Sequence, residues 1–172
     1  MKKLKIRELA IFGILGGMMY ASKALMSALP NIHLIAVFIG AETLTYRKKA
    51  LYPIAIYVLF EGLFGGFTVW WLPYLFIWPL LWGAYMILPK NMPKKYAIPA
   101  YMLTAGLHGL LFGTLTAPFY AVPMGLDMQG MKDWIIMGLP YDAIHGISNF
   151  CLGILIYPLA QLLKKLEKGT VK

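Results

Sequence analysis

Residues 34–64 read LIAVFIGAETLTYRKKALYPIAIYVLFEGLF. Two apolar runs, 34–46 and 50–64, are separated by three adjacent cations, Arg47, Lys48 and Lys49. A cation at the centre of a bilayer costs at least about 2.5 kcal/mol. The chain must therefore reach a membrane surface at this triplet and turn back. The first run is short for a full crossing, which needs roughly 20 apolar residues; it is expected to tilt, to cross a thin region, or to start inside the preceding loop.

The same grammar holds outward in both directions. Apolar segments at 9–29, 69–88, 98–120 and 139–163 join those two, which predicts an all-α integral membrane protein with six transmembrane helices and a single domain over residues 1–172. Hydrophobic residues make up 60% of the 172 and charged ones 13%. A soluble domain of this length could not hide so much apolar surface. Basic residues fall in four clusters: Lys2, Lys3, Lys5 and Arg7; Arg47, Lys48 and Lys49; Lys90, Lys94 and Lys95; Lys164, Lys165, Lys168 and Lys172. Together these hold fourteen of the sixteen Lys and Arg, leaving Lys23 and Lys132. An even number of spans places all four clusters on one side, and the positive-inside rule makes that side cytoplasmic, with both termini. The net charge of +9 is thereby a topology signal, and nucleic acid is not an expected partner.

The N-terminal MKKLKIRELAIFGILGGMMY has the charge order of a signal peptide, but its apolar stretch is long and no small-x-small cleavage site precedes a polar domain. It is read as a retained first span. The one cysteine, Cys151, sits in an apolar run without metal-ligand spacing and is expected to be buried and inert. The longest loop is expected over residues 121–134, carrying Asp127, Lys132 and Asp133.

Polar groups inside apolar segments mark a cavity or an ion pair, because lipid does not tolerate them singly. Lys23, Glu61, Asp142 and His145 converge near the outer surface when the spans are threaded, whereas Glu42 lies toward the cytoplasm and His108 near the middle. Asp142, His145 and Asn149, spaced three and four apart, share one helix face. A structural network in which Lys23 neutralises Glu61 or Asp142 competes with a ligand site, and His108 alone reads as a packed histidine. Trp70, Tyr74, Trp78 and Trp82 form a stripe of period four, and Pro73 and Pro79 are expected to bend their helix. Such rings could wall a pocket for a planar ligand. The candidate ligand site is Lys23, Asn31, His33, Glu61, Trp70, Trp71, Tyr74, Trp78, Asp142, His145 and Asn149. On the first segment Gly13, Gly17 and Ala21 put small residues on one face, where another helix could approach closely; that helix could belong to a partner or to the same bundle. No nucleophile elbow, paired zinc ligands or phosphate loop is present, so neither catalysis, nor a cofactor, nor a metal, nor ATP hydrolysis by this chain is expected.

The size, the six short spans, the small-residue face, the 29–33 turn LPNIH, the run 71–79 WLPYLFIWP and the run 138–149 GLPYDAIHGISN resemble those of an S-component, the substrate-binding subunit of an energy-coupling factor (ECF) vitamin transporter. The resemblance covers nearly the whole chain. It implies a bacterial plasma-membrane protein that binds a water-soluble vitamin or precursor near the outer surface. It further implies docking through the first helix onto a transmembrane coupling subunit joined to two ATPase subunits, and delivery of the ligand inward by toppling in the membrane. Aromatic walls with few charges suit pyridoxine or the hydroxymethylpyrimidine precursor of thiamine, while cobalamin or another large vitamin stays open. The competing class is a membrane protein without transport activity, an assembly factor or an intramembrane enzyme.

Overall fold

The structure, a computed structural model, describes residues 4–169. Lys2, Lys3 and Lys172, counted in the basic clusters, lie outside the described residues. Every regular element among the described residues is helical: α1 (Ile6–Leu25), α2 (Ile35–Tyr46), α3 (Leu51–Gly65), α4 (Tyr74–Ile87), α5 (Lys94–Leu110), α6 (Phe112–Ala121), α7 (Met128–Leu152) and α8 (Ile156–Gly169), with 3₁₀ turns at Arg47–Ala50 and Gly153–Leu155. Three stretches are long and apolar enough to cross a membrane, Ile6–Leu25, Lys94–Ala121 and Met128–Lys168; Tyr74–Ile87 is apolar but shorter. Their outward faces stay apolar, with Ile14, Leu25, Phe64, Ile87, Leu103 and Ile147 each about half exposed or more. A surface of this kind suits lipid and marks the chain as membrane-associated.

The short second run is also a central one. Ile35, Ala36, Ile39, Ala41, Glu42 and Thr43 of α2 are fully buried, as expected of a helix that is apolar all round. Trp78, Ile77, Leu81 and Tyr85 of α4 and Ile54 and Tyr57 of α3 pack in the same core. A second cluster joins Phe12 and Leu15 of α1 to Ala41, Ala160 and Leu163.

The basic turn is fixed by its neighbours. Arg47 has φ +55°, an uncommon conformation for a side chain of this size. Its Nη2 donates to the Met86 carbonyl (3.0 Å), and Trp82 Nε1 donates to the Arg47 carbonyl (3.1 Å). Lys49 also pairs with Glu8 of α1. One end of the bundle thus gathers the start of α1, the Arg47 turn and the end of α4.

Several boundaries differ from the sequence reading. The 98–120 segment breaks at Leu111 into α5 and α6. The 121–134 loop is mostly helix: α7 begins at Met128, where Asp127 caps it by accepting from the Gly130 N–H (2.7 Å). Lys132 and Asp133 therefore stand on the helix. Pro73 occupies the N-cap position of α4 and starts that helix, so only Pro79 lies inside it. Cys151 is exposed on α7, among Ile147, Phe150 and Ile154 on the apolar exterior.

Candidate ligand-binding site

At the end of the bundle away from the Arg47 turn, α1 unwinds after Leu25 and the chain turns through Pro30 and Asn31 before entering α2. Asn31 takes a left-handed conformation (φ +60°), which asparagine tolerates better than most residues. Its carbonyl accepts a hydrogen bond from Ser148 Oγ of α7 (3.0 Å). This loop roofs a cavity of about 270 Å³, lined by Lys23, Met26, Ser27, Leu29 to His33, Tyr74, Trp78, Phe112 and His145. Larger grooves of about 420 and 710 Å³ lie between helices, but their walls are almost wholly apolar, as suits lipid contact.

Six of the eleven candidate residues line this cavity: Lys23, Asn31, His33, Tyr74, Trp78 and His145. They come from α1, the loop after it, α4 and α7. Lys23 Nζ donates to Glu61 Oε2 (2.6 Å) and to Tyr74 Oη (3.1 Å), and lies 5.0 Å from the Tyr74 ring centre and 5.9 Å from that of Trp70. Glu61 and Trp70 therefore hold Lys23 from outside the cavity wall. Of the two partners considered for Lys23, Glu61 is the one it meets.

Asp142 points elsewhere. Both its oxygens accept from the Gly113 N–H of α6, at 3.0 and 3.1 Å, so it caps the start of that short helix from a neighbouring one. Phe112, the residue before Gly113, reaches the cavity and packs against His145 with ring centres 4.9 Å apart. Trp71 also falls outside: its Nε1 donates to the Val58 carbonyl (2.8 Å) and its ring lines the apolar groove beside α3. Asn149 lies one turn deeper than His145, buried, with neither side-chain polar atom partnered. His108 is packed, donating from Nε2 to the Ile77 carbonyl (3.1 Å). Glu42 is fully buried with both carboxyl oxygens unpartnered, away from the cavity lining.

The aromatic stripe divides along α4. Trp70 sits beside Lys23, Tyr74 and Trp78 face the cavity, and Trp82 reaches the Arg47 turn. Rings in the cavity region meet at steep angles: Tyr74 and Trp78 at 69°, His33 and Trp78 at 77°, His33 and His145 at 71°. His33, in the loop before α2, is pushed down to about 4, chiefly by burial and further by the Lys23 charge, and is neutral at pH 7. Buried polar atoms normally find partners, yet His33 Nδ1, Trp78 Nε1 and His145 Nε2 have none among the described residues. An arrangement of this kind can take a small planar molecule and offer it hydrogen bonds.

Phe112, Met26 and Ser27 were not among the residues singled out from sequence. Phe112 reaches the cavity through the helix break at Leu111, for which Gly106, Gly109 and Gly113 were the available signal. The same glycines bring α5 against α7: a Cβ on Gly109 would stand 2.8 Å from the His145 carbonyl, and one on Gly146 would stand 2.3 Å from Leu110. Among the described residues no cluster of His, Cys, Asp and Glu could hold a metal ion. Comparison with family models, curated proteins and solved structures gives no match.

Proposed function

We propose that this chain is the substrate-binding S-component of an ECF-type importer, a six-span protein of the bacterial plasma membrane with both termini cytoplasmic. In this reading it captures a water-soluble vitamin or precursor at the outer face and releases it inward when docked on a coupling subunit and two ATPase subunits. The observation that carries the reading is the position of the cavity. It lies at the end of the bundle opposite the Arg47 turn, so the positive-inside rule puts it at the outer face, and four separated segments build it. Its volume of about 270 Å³ favours a single-ring ligand over cobalamin, since pockets for drug-sized ligands measure roughly 300–1,000 Å³.

The face of α1 supports the docking part. A Cβ on Gly13 would meet nothing within 4 Å, and one on Gly17 only the Phe60 ring at 3.7 Å; Ala21 is exposed. The contact of α1 with α3 is made instead by Gly16, whose Cβ would stand 2.8 Å from the Pro53 carbonyl. The Gly13 face is therefore left open for another chain. Purification of the tagged protein from its native membrane, without added partners, tests the proposal. Two ATPase chains and one further membrane subunit should accompany it; recovery of the chain alone under conditions that preserve membrane complexes would overturn the reading.

A further inference from the structure

Among the described residues, Lys23 is the one in the cavity wall with a permanent charge, and no Asp or Glu lines it. The nearest carboxylates are turned away: Glu61 lies behind the ammonium, its side chain 6% exposed against 29% for Lys23, and Asp142 is committed to the Gly113 N–H. Trp78 Nε1–H can only donate, and it has no acceptor among the described residues. Tyr74 Oη accepts from Lys23, which leaves its own proton free for a ligand.

We infer that the ligand is a small aromatic acid, a single planar ring bearing a carboxylate, seated with the carboxylate toward Lys23 and an acceptor toward the Trp78 indole N–H. The inference rests on the ligand-capture reading above and narrows it. The Lys23 ammonium has three N–H donors; Glu61 and Tyr74 take two of them, and the third is left for a ligand oxygen. A carboxylate there makes a bond with both partners ionised, and bonds with an ionised partner are about twice as strong as neutral ones. A phosphate dianion fits less well, because the cavity offers one cation whose charge is already half committed. The cavity volume admits one ring with short substituents.

The test is equilibrium binding to the purified protein, using benzoate, the three pyridine carboxylates and the matching amides, with pyridoxine and hydroxymethylpyrimidine alongside. At least one acid should bind about tenfold or more tightly than its amide, as expected for a hydrogen bond between charged groups. Lys23→Arg should keep that preference. Lys23→Gln with Glu61→Gln should abolish it; the double variant avoids leaving a buried carboxylate unpaired, which would endanger folding. Equal binding of acid and amide, or tighter binding of a neutral hydroxymethyl ring, would overturn the acid assignment and leave ligand capture standing. Binding of none of these probes by folded protein would overturn the acid assignment as well. The capture reading fails separately, if the protein isolated from its native membrane brings no ATPase chains with it.

Discussion

Asp142 and His145 stand one turn apart on the same face of α7, yet they face different partners. His145 lines the cavity with Nε2 unpartnered, whereas Asp142 caps α6 through Gly113. The spacing that makes them neighbours was plain in the sequence; their division was not, because it depends on a helix break at Leu111 that leaves the Gly113 N–H in need of an acceptor. Trp71 likewise differs from Trp70 by one residue and lands on the other side of the chain. Two outcomes follow at this scale. Replacing His145 with Ala should weaken ligand binding at least about fivefold, the equilibrium equivalent of roughly 1 kcal/mol for one buried hydrogen bond, alongside a lower melting temperature from the lost packing against Phe112 and His33. Asp142→Leu should act on stability first, lowering it by about 1.5–3 kcal/mol for the lost bond to a charged group; Asp142→Asn, which keeps an acceptor, should lose less. Melting curves and titrations of both variants check the pair, and equal losses of affinity with unchanged stability would return Asp142 to the cavity wall.

Among the elements, α1 offers the sharpest contrast. Gly16 and Gly13 lie three residues apart and both read as small residues in an apolar helix, but only Gly16 is closed over by α3. Gly16→Leu should therefore destabilise the fold, by roughly 1–3 kcal/mol for overpacking and more if α1 detaches. Gly13→Leu should fold normally and keep its ligand while losing the coupling subunit on purification; retention of the partner would mean that a different face docks. Most helix ends were legible: Gly66, with φ +90°, ends α3, and the Arg47 triplet separates α2 from α3. The start of α7 was missed because residues 125–133, with Gly, Asp, Gln and Lys, have loop composition, although Asp127 is a good cap. The crossing of α5 and α7 through Gly106, Gly109 and Gly146 is not legible in the sequence, because a glycine in an apolar helix does not say which neighbour closes over it. Gly109→Ala should push α5 off the His145 backbone and weaken binding without touching the ligand, a change that titration of a folded variant would reveal.

At the scale of the molecule, the two ends are chemically distinct. The Arg47 turn, Lys49 with Glu8, and Trp82 gather at one end, and the cavity with its single lysine lies at the other. The Arg47 triplet marks one end in the sequence, and six of the candidate residues line the cavity at the other. Which of the candidates face it was hidden in the unwound loop after α1, whose path no periodicity describes. A cysteine placed at Gln129, at the start of α7, should react with an impermeant reagent outside intact cells, and one at Asn91, between α4 and α5, should not; labelling of Asn91 would invert the orientation. Whether this cavity captures a ligand is measured most directly by the small-molecule content of the protein purified from cells grown in rich medium. Mass spectrometry should find one single-ring compound retained by wild type, and sharply depleted in folded His145→Ala and Trp78→Phe variants. The same compound retained equally by both variants would place capture elsewhere and contradict the account.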